Sequence, residues 1–203
     1  MDFTLLGSDP RYLFLRERLE ADGHRLTAEN GAILAPPAEQ RGIPYWKDPV
    51  YAVENAALTA EGAAELVMRR LPGTVLGAKL LIVGYGRIGS MLADRLGLLG
   101  AAVTVAARRP ESRAEARARG HHSVDITELP ADPDAVINTV PAPILTGDFG
   151  GALCVDLAGA PGGWADHTPV LRAPGLPGLY APMAAADVMA EAVYRVMEVD
   201  IIE

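Results

Sequence analysis

From Ala78 onward, uninterrupted apolar runs alternate with stretches whose apolar residues recur every three or four positions. Runs such as Leu80–Val83 and Ala135–Ile137 are apolar throughout rather than alternating, which suits parallel strands covered on both faces. The pattern predicts strands at 79–84, 101–106, 121–124, 134–139, 152–156 and 169–173, and helices at 87–99, 110–119 and 181–197. Strands alternating with helices imply an α/β fold of the Rossmann type, a doubly wound parallel sheet of six strands in the order 3-2-1-4-5-6.

The first third is patterned differently. Phe3–Gly7 reads as a short strand, and the stretch from Pro10 to His24 as a helix with Asp9 as N-cap, Pro10 in the first position and Gly23 at the end. Gly31–Pro37 reads as a second strand. Between Ala35 and Pro49 the prolines and Gly42 predict a loop. Residues 1–58 are thus expected to form a small, abbreviated N-terminal α/β region. Thr59–Leu71 has helical spacing, Thr59 as N-cap and a stop at Pro72-Gly73. It predicts a bridging helix and linker over 59–77, leaving 78–203 as a dinucleotide-binding domain with a C-terminal helix.

Composition narrows the function classes. Half of the 203 residues are hydrophobic, enough for a sizeable core. A net charge of -8 argues against a nucleic-acid binder or a membrane-surface protein. No basic leader or bilayer-length apolar run is visible, so a cytoplasmic protein is expected. Cys154, the single cysteine, sits among apolar neighbours and reads as a buried strand residue. No metal-ligand spacing occurs, and none of the nucleophilic serine kind.

Gly84-Tyr85-Gly86-Arg87-Ile88-Gly89 follows the first predicted strand of this sheet and opens a helix. In that context Gly84 permits the tight turn, Gly86 lets backbone approach a pyrophosphate, and Gly89 lets helix and strand pack closely. The helix N-terminus offers free N–H groups and a positive dipole end to phosphates. The end of the second strand chooses the cofactor. An NAD site usually has a carboxylate there for the ribose hydroxyls. This chain has Ala107, Arg108 and Arg109, with Ser112 close by and no carboxylate before Glu111. A guanidinium can pair with a 2′-phosphate and stack on adenine, so NADP(H) is favoured over NAD(H). The alternative is that both arginines are solvated residues at a helix start.

Three later loops are expected at the carboxyl edge of the sheet, where ligands of open α/β sheets bind. They carry Asn138, Thr139, Val140 and Pro141; Asp156 with the glycines at 162 and 163; and the Arg172–Asp187 stretch, which leads into the final helix. Asp156 and His167 are the candidates for acid–base or orienting roles, although Asp156 reads equally well as a structural residue. His24, His121 and His122 read as structural.

The segments from Asn55 through Thr59–Ala63, then "GYGRIG", "LGAAVTVAARR", "INTVPAPIL", "DLAGAPGG" and "APGLPGLYAP", together resemble the family of the dehydrogenase-like subunit of dipicolinate synthase. The bridging helix and Rossmann unit also resemble, more distantly, the D-2-hydroxyacid dehydrogenases and adenosylhomocysteinases. The resemblance implies oxidation of dihydrodipicolinate to dipicolinate in spore formation, with NADP as acceptor and a flavoprotein-like subunit for partner. It implies a small dicarboxylate substrate, with Asn55, Thr59, Gly162, Gly163 and Pro182 as substrate-side candidates, and a homo-oligomer is expected. Aromatising a dihydropyridine needs mainly orientation of a ring carbon against the nicotinamide, which fits the lack of an evident acid–base pair.

The chain departs from that pattern in two ways. The family's N-terminal domain is longer, and its middle has no counterpart here. Ala160 and Met183 stand where the family tends to carry cations, leaving as anion partners Arg172 and Arg87, of which Arg87 is alternatively a partner of the pyrophosphate. A non-catalytic, dinucleotide-binding regulatory or assembly subunit is therefore the competing expectation, and a dehydrogenase for another small acid a third.

Overall fold

The computed structural model describes residues 1–199. The end of the expected 78–203 domain, residues 200–203, lies outside the described residues. Two compact units form: residues 1–58 together with the stretch from Leu176 onward, and Thr59–Gly175.

The first unit has a three-stranded parallel sheet. Strands β1 (Asp2–Leu5), β2 (Arg25–Leu26) and β3 (Ala32–Leu34) lie in the order β2-β1-β3. The two-residue β2 is too short to leave a hydrophobic pattern, so the sequence reading finds only two strands. Helix α1 (Tyr12–Ala21) starts two residues later than expected. Asp9 is not its N-cap. Its carboxylate accepts from the Arg11 backbone N–H at 2.9 Å and from the Arg11 guanidinium, forming a turn ahead of the helix.

Helix α2 (Pro49–Arg70) corrects the expected bridging helix. Thr59 is an interior, buried residue rather than an N-cap. The helix begins ten residues earlier, where Asp48 accepts from the Val50 and Tyr51 N–H groups and Pro49 takes the first position, which needs no N–H.

In the second unit all six strands are parallel. They are β4 (Lys79–Val83), β5 (Ala102–Ala106), β6 (His122–Val124), β7 (Ala135–Asn138), β8 (Leu153–Asp156) and β9 (Leu171–Arg172). Their order, β6-β5-β4-β7-β8-β9, is the expected Rossmann order. Helices α3 (Arg87–Leu98) and α4 (Pro110–Ala118) connect the first half. Leu81, Val83, Ala106 and Val136 form one core cluster with Leu145 and Trp164. His121 is half-buried, with its side chain 7% exposed, and its Nε2 lies 2.8 Å from Asp94 Oδ1, a structural pairing of α3 with the entry to β6.

After β9 a short helix α5 (Leu176–Tyr180), expected as loop, precedes α6 (Pro182–Val199). The sequence reading attached this last helix to the Rossmann domain. In the structure Ala186, Met189, Ala190 and Val193 instead join Phe3, Leu15, Leu19 and Leu34 in the core of the first unit.

Candidate functional site

The sheet order reverses between β4 and β7, and a cleft of about 430 Å³ opens at the carboxyl ends of β4, β5 and β7. It is lined by Gly84, Tyr85 and Gly86 on one side, and by Ala107, Arg108, Arg109 and Ser112 on another. Val140 and Pro141 close it, with Ile126, Ala142 and Ile144, which sequence reasoning missed. These three follow strand ends without polar or glycine signals that would set them apart from ordinary loop residues.

The glycines of the turn differ in what a side chain on each would meet. Gly84 has φ +98°, and a Cβ there would strike the Thr139 hydroxyl, so the turn requires glycine. A Cβ on Gly89 would run into the Gly84 carbonyl, which lets α3 start tight against β4. A Cβ on Gly86 would meet no protein atom within 4 Å, yet Gly86 lines the cleft. The space it leaves is therefore open to a ligand, and the first turn of α3 above it carries no side-chain cap on its N–H groups. Arg87 and Ile88 follow at the helix start, Arg87 exposed and Ile88 half-buried. These residues fit a pyrophosphate-bearing dinucleotide.

Tyr85 is 8% exposed, and its hydroxyl is buried with no hydrogen-bond partner. Burial pushes its phenol above the ordinary tyrosine value, so the ring is a neutral wall of the cleft. Arg108 and Arg109 are exposed where the chain leaves β5, and Arg109 is the extended residue that precedes α4. Arg113, unnoticed in the sequence, braces this turn. Its Nη1 donates to the Ala107 and Arg108 carbonyls, each at 2.8 Å, and to Asp125 Oδ2 at 2.7 Å.

Beneath the β7 and β8 ends lies a polar tie. Asn138 is fully buried; its Nδ2 donates to Asp156 Oδ1 at 2.8 Å and to the Val140 carbonyl at 2.9 Å, and its Oδ1 accepts from the Val140 N–H. Thr139 donates to the Val83 carbonyl. Asp156 is 1% exposed and also accepts from the Ala158 and Gly163 N–H groups. A buried carboxylate so occupied holds the loops around it in place. Gly162 and Gly163 are buried beside it, and a Cβ on Gly163 would collide with the Asn138 amide. Arg172, at the end of β9, keeps its side chain 59% exposed, with Nη1 4.0 Å from Asp156 Oδ2.

His167 is exposed on the loop after Trp164 and does not line the cleft. Thr59 is buried within α2, in the second unit. Asn55, half-buried on α2, and Pro182, which opens α6, belong to the first unit. Among the described residues no group of three or more His, Cys, Asp or Glu is placed to hold a metal, and no helix is long and apolar enough to cross a membrane.

Residues 55–149 match the NAD-binding domain model of the D-isomer specific 2-hydroxyacid dehydrogenases. The chain is 30% identical over 178 residues to the dipicolinate synthase A chain of Bacillus subtilis, a match covering 81% of this chain and 60% of that one. The crystal structure of the dipicolinate synthase A chain from Bacillus halodurans superposes with a TM-score of 0.81, at 20% identity and 97% coverage of both chains. That of the Bacillus subtilis A chain gives 0.71 at 25% identity, covering 99% of this chain and 66% of that one. A transhydrogenase from Sinorhizobium meliloti shares the fold, with a TM-score of 0.65 at 18% identity, covering 97% of this chain and 68% of that one. By sequence and by fold, this chain is similar to the dipicolinate synthase A chain, spanning about 60% of the length of the curated relative it matches, and its frame is of the Rossmann type, with a match to an NAD-binding domain.

Proposed function

We propose that the chain is an oxidoreductase subunit of the dipicolinate synthase type. It holds NADP(H) in the cleft and orients dihydrodipicolinate for oxidation to dipicolinate, working with a flavoprotein-like partner. One observation carries the reading: the glycine turn, with its open space at Gly86, faces a cleft whose lining after β5 presents Arg108 and Arg109 and no carboxylate side chain.

The backbone at Gly84–Gly86 and the first turn of α3 receive the pyrophosphate. Arg108 and Arg109 pair with the 2′-phosphate, Ser112 supports them, and Pro141 and Ile144 flank the adenosine. The Asn138–Asp156 tie fixes the loops of residues 138–141 and 157–163, and Arg172 offers the exposed cation for a substrate carboxylate. A dinucleotide held by these residues would supply the acceptor for a hydride from the dihydropyridine ring, and the accompanying proton would pass to water, so the chain's own residues would need only to orient the ring.

Titration of both cofactors tests the first half. NADP(H) is expected to bind at least tenfold more tightly than NAD(H), since a charge-assisted pair contributes about 1.5–3 kcal/mol. An Arg108→Ala, Arg109→Ala double variant should erase the preference. Equal affinities in the unaltered chain would leave both arginines as solvated surface residues.

A second reading has its own support. Asp156 is occupied, His167 lies off the cleft, and Ala160 and Met183 add no charge. A dinucleotide-binding assembly or regulatory subunit would need no more than this. Dihydrodipicolinate oxidation with NADP, assayed with the chain alone and then with the flavoprotein-like partner added, separates the two. Turnover in either assay supports the first reading, and NADP binding without turnover in both supports the second.

A further inference from the structure

Arg113 is exposed over only 21% of its side chain, and Asp125 over 34%. The Nη1 atom of Arg113 has two hydrogens and three acceptors around it, the carbonyls of Ala107 and Arg108 and the Asp125 carboxylate. Asp125 is fixed in turn, because its other oxygen accepts from the Thr127 N–H at 3.1 Å and the Thr127 hydroxyl at 2.9 Å. The clamp thus joins two walls of the cleft: the turn at 107–109 and the segment after β6, where Ile126 lines the same space.

We propose that the Arg113–Asp125 clamp sets the choice of dinucleotide, by fixing the turn that carries Arg108 and Arg109 and by neutralising the carboxylate in the adjoining wall. This rests on the NADP(H) reading above and adds a positioning pair to it.

Two physical effects act in the same direction. A turn free to fluctuate must lose conformational freedom when its arginines engage a phosphate, so holding its carbonyls in advance removes that cost. An unpaired carboxylate one residue from Ile126 would repel a 2′-phosphate but leave a ribose hydroxyl unopposed or even serve it. Paired with Arg113 and bonded to Thr127, Asp125 is withheld from both roles. Arg113 does not need to touch the ligand for this.

The test is equilibrium titration of NADP+ and NAD+ against the full chain and its Arg113→Gln and Arg113→Lys variants, with thermal melting and amide hydrogen exchange at residues 107–109. Arg113→Gln is expected to weaken NADP+ binding tenfold or more and NAD+ binding less than threefold, with faster exchange at 107–109. Arg113→Lys keeps the charge without the planar fork and should fall between the two, which keeps the test available if the glutamine variant fails to fold. Should both variants weaken the two cofactors equally, the clamp is only structural and the proposal falls, while the NADP(H) reading stands. Should the unaltered chain show no preference, the reading and the clamp proposal fall together.

Discussion

At the residue scale the three glycines of the turn are separable by what a side chain would meet. A Cβ on Gly89 meets backbone, whereas one on Gly86 meets open cleft. Gly89→Ala should therefore lower the melting temperature and weaken dinucleotide binding together, at a cost of about 1–3 kcal/mol for overpacking. Gly86→Ala should leave the melting temperature within the range of surface substitutions, about 0.5 kcal/mol, and still weaken binding. A melting scan and a cofactor titration on each variant check this; loss of stability in Gly86→Ala would show that its space is not reserved for a ligand. The turn was readable from sequence because its glycines answer to local geometry. Arg113 was not, because its partners are carbonyls at 107 and 108 and a carboxylate twelve positions on, brought together only when β5 and β6 pair. Asp156 was visible as a strand-end carboxylate, but its three hydrogen bonds depend on loops whose course no periodicity records.

At the element scale the parallel strands were legible, since burial on both faces writes continuous apolar runs. The start of α2 was not, although Asp48-Pro49 is a cap followed by a first-position proline; the prolines before it made the whole stretch read as loop. Asp48 also receives the Arg195 guanidinium, with Nη2 at 2.6 Å. Burial opposes the charge on Asp48, but Arg195 and the N–H groups of Tyr51 and Val50 outweigh it and hold the carboxyl below its ordinary value. The unfolded chain therefore binds this proton more readily than the folded one. The stabilisation is complete above the unfolded value of about 3.9 and is lost as pH falls through the lower folded value. Asp48→Asn should cost about 1–2 kcal/mol at pH 7, discounted for the partial exposure of Arg195. Melting curves of both proteins should converge as the pH drops below 4; a gap independent of pH would mean that the carboxylate's charge contributes nothing.

At the scale of the molecule, the chain leaves its first unit through α2, builds the six-stranded sheet, and returns to the first unit after Gly175. Patterning could not reveal the return, because an amphipathic helix such as α6 carries no mark of which core it will join. The consequence is that each unit has a core of its own. Met189 is fully buried in the cluster of Phe3, Leu15, Leu19 and Leu34, whereas Leu81 is fully buried in that of Val83, Ala106 and Val136. Met189→Ala and Leu81→Ala each remove a comparable apolar volume, at a cost of about 2–5 kcal/mol. Their effects should nevertheless fall on different amides. Hydrogen exchange should accelerate in β1 and α1 for Met189→Ala, with β4 and β7 still protected and NADP(H) still bound. In Leu81→Ala the acceleration should appear in β4, β5 and β7, and cofactor binding should weaken because the Gly84 turn rests on the end of β4. Uniform acceleration across both units in either variant would mean that the two cores open as one cooperative body, and that the last helix stabilises the dinucleotide site as much as the small sheet.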